Sequence, residues 1–213
     1  LSDRAVGQGV SVIFGFVLEE DGALYNAAAC LTADGQIYLY KKSHLNQEEL
    51  LWARPGDQAG ICVDLPHARV GILLGDEAMI PEVPRLLANY GCDILAIPAA
   101  QERLCAPCLG AQNRENPFFW HIARVRANEN NVYAVFSSQV DGSGIFGPDM
   151  FLDPRYETIC AGEEMAALEV DTDFILRDGQ TRYSVNVARE KPMLSTRHTI
   201  WYDPLLEKTE VDV

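Results

Sequence analysis

Hydrophobic positions along the chain fall into short continuous runs of strand length, separated by two longer stretches with helical spacing. That alternation predicts an α/β domain, not an all-β sandwich or a helical bundle. Residues 10–17 are β-branched and aromatic and end at the acidic turn Glu19-Glu20-Asp21-Gly22. Residues 27–31 and 36–40 flank Asp34-Gly35, a pair that signals a two-residue hairpin turn. Residues 70–74 and 94–98 are continuously apolar, as in strands buried on both faces. Between them Val83, Leu86, Leu87 and Tyr90 recur at helical spacing, and Gly91 supplies a left-handed cap. Strand, helix and strand in this order predict a right-handed βαβ unit, with Gly75 just past the carboxyl end of its first strand, where sites in such sheets lie.

A second helix is predicted from the cap pair Asn116-Pro117 to Asn131, with Phe118, Phe119, Ile122 and Val125 on one side. Residues 132–137 read as a strand, followed by the turn Asp141-Gly142-Ser143-Gly144 and strands around Phe151 and Ile159. From Asp178 the polarity is mixed and aperiodic, which predicts an extended tail (178–213) packed against a neighbour. The whole of 1–213 reads as one domain. Position 1 is not Met, and Leu1 to Val6 read as the tail of a helix already under way, so residues are expected upstream.

Composition narrows the function classes. A formal charge of −14 repels phosphate backbones, which excludes nucleic acid as a direct partner. No apolar run approaches the roughly 20 residues of a membrane span, and the first residues lack a signal-peptide layout. The six cysteines are too sparse for a disulfide scaffold, which fits a reducing cytoplasm. Cys105-Ala106-Pro107-Cys108 has the spacing of a redox or zinc pair, but His44, His67, His121 and His198 are scattered without metal spacing. The expectation is therefore no metal.

Chemistry enters with Tyr40-Lys41-Lys42-Ser43-His44-Leu45, where a lysine at a strand end can serve as a fixed cation beside a reacting carbonyl. Around it stand Gly15-Phe16, Tyr25-Asn26-Ala27-Ala28, Asp34-Gly35, and Glu49 ahead of Pro55-Gly56-Asp57. Further along come the runs 70–77, Pro81-Glu82, 94–100, 124–130 and Asp153-Pro154. In order and spacing this series resembles the nitrilase superfamily of carbon–nitrogen hydrolases, over about residues 10–160. The resemblance implies a four-layer α-β-β-α sandwich with N-terminal strands missing from this chain. It also implies hydrolysis of non-peptide carbon–nitrogen bonds in amides, nitriles or carbamoyl compounds, without a cofactor.

In such relatives a cysteine attacks, a glutamate acts as general base and acid, a lysine stabilises the oxyanion, and a second glutamate positions substrate. Carried over, Lys42 matches the lysine and Glu49 the second glutamate, with Glu48 one register away. Gly75 occupies the place of the cysteine, and the first glutamate belongs upstream of Val10. Asp76 and Glu77 adjoin Gly75, but a neighbouring turn residue is expected to point away from the thiol's place and carboxylates attack amides poorly. With Gln101, which opens a pocket-lining segment in relatives, they are read as candidate ligand contacts. His44 reads as a hydrogen-bonder behind Lys42, and Arg124, Arg126 and Glu129 as ion-pairing and packing residues.

Glycine has no side chain to attack with, so the resemblance leads to a catalytically impaired relative kept as a ligand-binding, regulatory or interaction domain. The alternative is an active amidase or nitrilase. Relatives associate through helices on one outer face, which here would be 81–91 and 117–131, and a homodimer is the expected assembly.

Overall fold

The computed structural model describes residues 2–100, 118–139, 142–148, 157–160, 165–170, 172 and 197–206. Helix α1 (Ser2–Gln8) leads into a three-stranded antiparallel sheet in the order β1 (Val12–Glu20), β2 (Ala23–Leu31), β3 (Ile37–Lys41). A second sheet of six strands has the order β4 (Ile61–Asp64), β5 (Arg69–Ile72), β6 (Ile94–Ala99), β7 (Tyr133–Ser138), β8 (Ser143–Phe146), β9 (Glu157–Cys160). Its centre, β5-β6-β7, is parallel, and its flanks are antiparallel. The two parallel connections carry α2 (Glu82–Asn89) and α3 (Phe118–Asn130).

Two apolar layers hold this together. Ala28, Cys30 and Tyr40 of the smaller sheet meet Val63, Val70, Ile72, Leu74 and Ala96 of the larger one. Gly15 of β1 faces the larger sheet, where a Cβ would make ordinary contacts with Leu74 (3.5 Å) and Pro98 (3.6 Å). On the opposite face of the larger sheet, Leu73, Leu95, Ile97, Ala134 and Phe136 pack against Val83, Leu87 and Ala88 of α2 and Trp120, Ala123 and Ala127 of α3. The described residues therefore build helix, sheet and sheet in successive layers. The outer face and edge of the small sheet leave Val17, Ile37, Tyr38 and Leu39 exposed.

Several local expectations change. The strand expected at 10–17 runs on to Glu20, because Asp21 and Gly22 both take positive φ (51° and 74°) and make the tight two-residue turn to Ala23. Asp34-Gly35 instead sits inside the longer connection 32–36, closed by Thr32 N–H to Gln36 O at 2.9 Å and Gly35 N–H to Thr32 O at 3.0 Å. In α2, Tyr90 is 57% exposed, and Pro84 and Ala88 complete the buried side with Val83 and Leu87. Gly91 does take the left-handed conformation (φ 84°) that ends the helix.

The expected stripe of α3 holds in part: Phe119 and Ile122 pack against the core and Trp120, Ala123 and Ala127 are buried in it, while Val125 is exposed. Small residues win because the helix lies close against the sheet, where Phe119 can stack on Phe136 with centroids 5.9 Å apart. Asn116, Pro117, Phe151 and the Cys105/Cys108 pair lie outside the described residues. So does most of the tail; within it Thr199–Trp201 and Asp203–Leu206 form short 3-10 turns, and Arg197 donates to Asn89 at the end of α2 (3.2 Å). Among the described residues, no helix is long and apolar enough to cross a membrane.

Candidate functional site

The site grows from the end of β3. Lys42 follows the last strand residue, and its main chain is held on both sides: its N–H donates to Asn26 O and its carbonyl accepts from Gly56 N–H, each at 2.8 Å. Gly56 is obligatory for this approach, since a Cβ would come within 2.2 Å of the Lys41 carbonyl oxygen. The fixed backbone sends the Lys42 side chain inward, where it is 2% exposed.

A buried ammonium needs acceptors for its hydrogens. Glu49 supplies two, with Nζ to Oε1 at 2.7 Å and Nζ to Oε2 at 2.5 Å. Asp76 Oδ1 supplies the third. Glu49 is itself anchored by Asn26 Nδ2 (2.6 Å) and by Asn46 N–H (2.9 Å). Asn46 caps the short turn Glu49–Leu51, its Oδ1 accepting from the N–H groups of Glu48 (3.0 Å) and Glu49 (2.9 Å). Its Nδ2 donates to Asp76 Oδ2 at 3.0 Å. Of the two neighbouring glutamates it is Glu49 that meets Lys42, with Glu48 exposed beside it.

Gly75 opens a 3-10 turn, Gly75–Met79, directly after the end of the β5 run. It is buried and takes φ 50°, the left-handed region that glycine enters without strain. A sharp strand-to-helix turn is how hydrolase folds lift a nucleophile above a sheet. Here the first residue of the turn, Gly75, presents main chain only. Arg126, on α3, fixes the far end of this turn through Nε to Ala78 O (2.7 Å) and Nη2 to Met79 O (3.3 Å), while pairing with Glu129 at 2.6 Å. Arg124 pairs with Glu157 at 2.6 Å, so both arginines take the ion-pairing and packing roles expected of them.

Asp76 and Glu77 part company. Asp76 turns toward Lys42, contrary to the expectation that a residue beside Gly75 points elsewhere, and its side chain is 21% exposed. Glu77 is 0% exposed and faces the scaffold instead. It accepts from the Tyr40 hydroxyl (2.8 Å), Ser43 Oγ (3.1 Å) and the N–H groups of Ser43 (3.2 Å), His44 (3.1 Å) and Leu74 (3.0 Å). With its oxygens so occupied it ties the Lys42 loop to the Gly75 turn, and it has no surface with which to meet a ligand. Burial, and then the Glu77 charge, push the Tyr40 phenol well above its ordinary range. His44 lies against Glu77 with Nδ1 at 3.3 Å, in the supporting position expected of it.

Lys42, Glu49 and Asp76 are thus brought together beside Gly75, while Gln101 lies outside the described residues. Asn26 and Asn46 were not singled out from sequence, although Asn26 falls within one of the landmark runs. The signal for Asn46 was its spacing of three before Glu49, that of a side-chain cap. Among the described residues no three His, Cys, Asp or Glu side chains are grouped to hold a metal ion.

This architecture has known counterparts. The family model for carbon-nitrogen hydrolases matches residues 1–168, and the chain belongs to that family. It is 29% identical over 178 residues to a nitrilase of Pyrococcus abyssi, covering 80% of this chain and 63% of that protein. It is 28% identical over 208 residues to the human omega-amidase NIT2, covering 90% and 71%. A carbon-nitrogen hydrolase from Helicobacter pylori G27 superposes with a TM-score of 0.80 at 21% identity, over 97% of this chain and 74% of that one. Yeast Nit3, of the nitrilase superfamily, superposes with a TM-score of 0.59 at 21% identity over 69% of this chain and 55% of its own. The fold is of the nitrilase type. The chain spans 50–65% of the length of the first relatives it matches.

Proposed function

We propose that this domain is a non-catalytic carbon-nitrogen hydrolase family member that binds a small carbonyl compound at the Lys42, Glu49 and Asp76 cluster. The observation that carries this reading is Gly75: the strand-end position beside the Lys42 cluster has no side chain to attack a carbon centre, and Asp76 next to it is paired with Lys42. Covalent catalysis requires an activated nucleophile within reach of the reacting atom. The ligand class follows from the polar groups that remain, Lys42, Glu49 and Asp76, which suit amide, nitrile or carbamoyl functions. The test is ammonia release from a panel of small amides, nitriles and carbamoyl amino acids, with binding of the same compounds followed by calorimetry. No turnover is expected, and binding should vanish in Lys42→Met. Turnover by the unmodified chain refutes the reading.

A second reading, an active amidase or nitrilase, draws on the names of the relatives, which include a nitrilase and omega-amidases. The same assay separates the two. We further propose a cytoplasmic homodimer formed through α2 and α3. Tyr90, at the end of α2, and Val125, on α3, leave apolar groups exposed, and Cys30 and Cys62 are free thiols. Light scattering coupled to size exclusion measures the assembly, and Val125→Glu should yield the monomer.

A further inference from the structure

We infer that Asp76 is an internal competitor for Lys42, and that the compound able to displace it carries a carboxylate. This rests on the reading of the Lys42 cluster as a ligand site. An ammonium has three hydrogens to donate. Glu49 Oε1 and Oε2 take two, at 2.7 Å and 2.5 Å, and Asp76 Oδ1 takes the third. Nothing is left for an incoming molecule, and at 2% exposure Lys42 cannot recruit one from another side. A ligand therefore enters by replacing one of the two carboxylates.

Glu49 is the harder to move. It is 11% exposed and is held by Asn26 and by the Asn46 main chain as well as by Lys42. Among the described residues Asp76 has one other polar contact, from Asn46 Nδ2, and it sits nearer solvent and hangs on a short stem next to Gly75. Its terminal group also states what fits its place: two oxygens, one facing Lys42 Nζ and the other facing Asn46 Nδ2. A free carboxylate reproduces both contacts at equal charge, while Asp76 swings out to be hydrated. An amide or nitrile brings no charge of its own, so it exchanges the ion pair with Lys42 for a contact between the ammonium and a neutral acceptor, and leaves the ammonium with one carboxylate fewer. Carboxylates are what amide and nitrile hydrolysis leaves behind, so the cluster is matched to the product side of that chemistry.

The experiment titrates the full chain with sodium propionate and with propionamide, followed by calorimetry, in the native protein, Asp76→Ala, Asp76→Asn and the double variant Asp76→Ala/Lys42→Met. Propionate should bind Asp76→Ala at least about ten-fold more tightly than the native chain, and at least about ten-fold more tightly than propionamide. The gain should disappear in the double variant. Asp76→Asn keeps the side-chain volume and carries the test if the alanine variant does not fold, with a smaller gain of the same sign. Equal propionate affinity with and without Asp76 overturns the inference. If propionamide also binds the native chain in a Lys42-dependent way, the ligand-site reading survives that failure. If neither compound binds any variant, both readings fall.

Discussion

At the scale of single residues, the protein is organised by buried charges that share donors. Glu77 is the clearest case, because replacing one donor leaves a carboxylate short of a partner in the interior. Tyr40→Phe should destabilise the fold by about 1–3 kcal/mol in urea unfolding. It should also change the alkaline limb. The folded-state phenol of Tyr40 is raised, so its contribution is fully present below the ordinary tyrosine value of 10.0 and is lost as pH climbs beyond it. The native protein should lose stability steeply above about pH 10, and the phenylalanine variant less so. Gly56→Ala should cost about 1–3 kcal/mol or more, since the new methyl meets a main-chain carbonyl that carries the site. Lys42 and Glu49 were legible from sequence because strand-end and turn landmarks bracket them. The turn of Asp76 onto Lys42 was not, since side-chain direction at a 3-10 turn depends on the left-handed residue before it, which no periodicity records.

At the scale of elements, helices α2 and α3 act as clamps on the site-bearing edge of the large sheet. Leu87, fully buried between α2 and β5, should cost about 2–5 kcal/mol as alanine. Arg126→Met keeps the stem packed but frees the carbonyls of Ala78 and Met79, and a loss of about 1–3 kcal/mol is expected, read by the urea midpoint. The strands at 70–74 and 94–98 and the intervening helix were readable because each is continuously apolar or strongly periodic. The stripe of α3 was readable at Phe119 and Ile122 but not at Ala123 and Ala127, small residues that close packing on a sheet buries and a hydrophobicity count passes over. The Asp34-Gly35 signal likewise named a turn correctly but not its length, which is set by where the pairing of Leu31 with Ile37 closes.

For the molecule as a whole, the layers meet at two apolar interfaces, and Cys30 lies wholly within the one between the sheets. Burial raises its thiol, so it should react with iodoacetamide only when the sheets part. Its labelling should rise at the same urea concentration as the loss of circular dichroism, whereas earlier labelling would mean that the small sheet detaches on its own. The layered fold was legible in the order of motifs, while the turned segment 197–206 was not, because its anchoring depends on Arg197 finding Asn89 more than a hundred residues back.

The left-handed backbone at Gly75 has a bearing on the history of the chain. Any side chain at that position meets a strain of about 1–2 kcal/mol, so Gly75→Cys should weaken the fold by that amount in urea. A thiol introduced there bears this loss while Asp76 is still paired to Lys42. On the proposed non-catalytic reading two changes would have to arrive together, which makes glycine at position 75 a ratchet that single mutations do not readily turn.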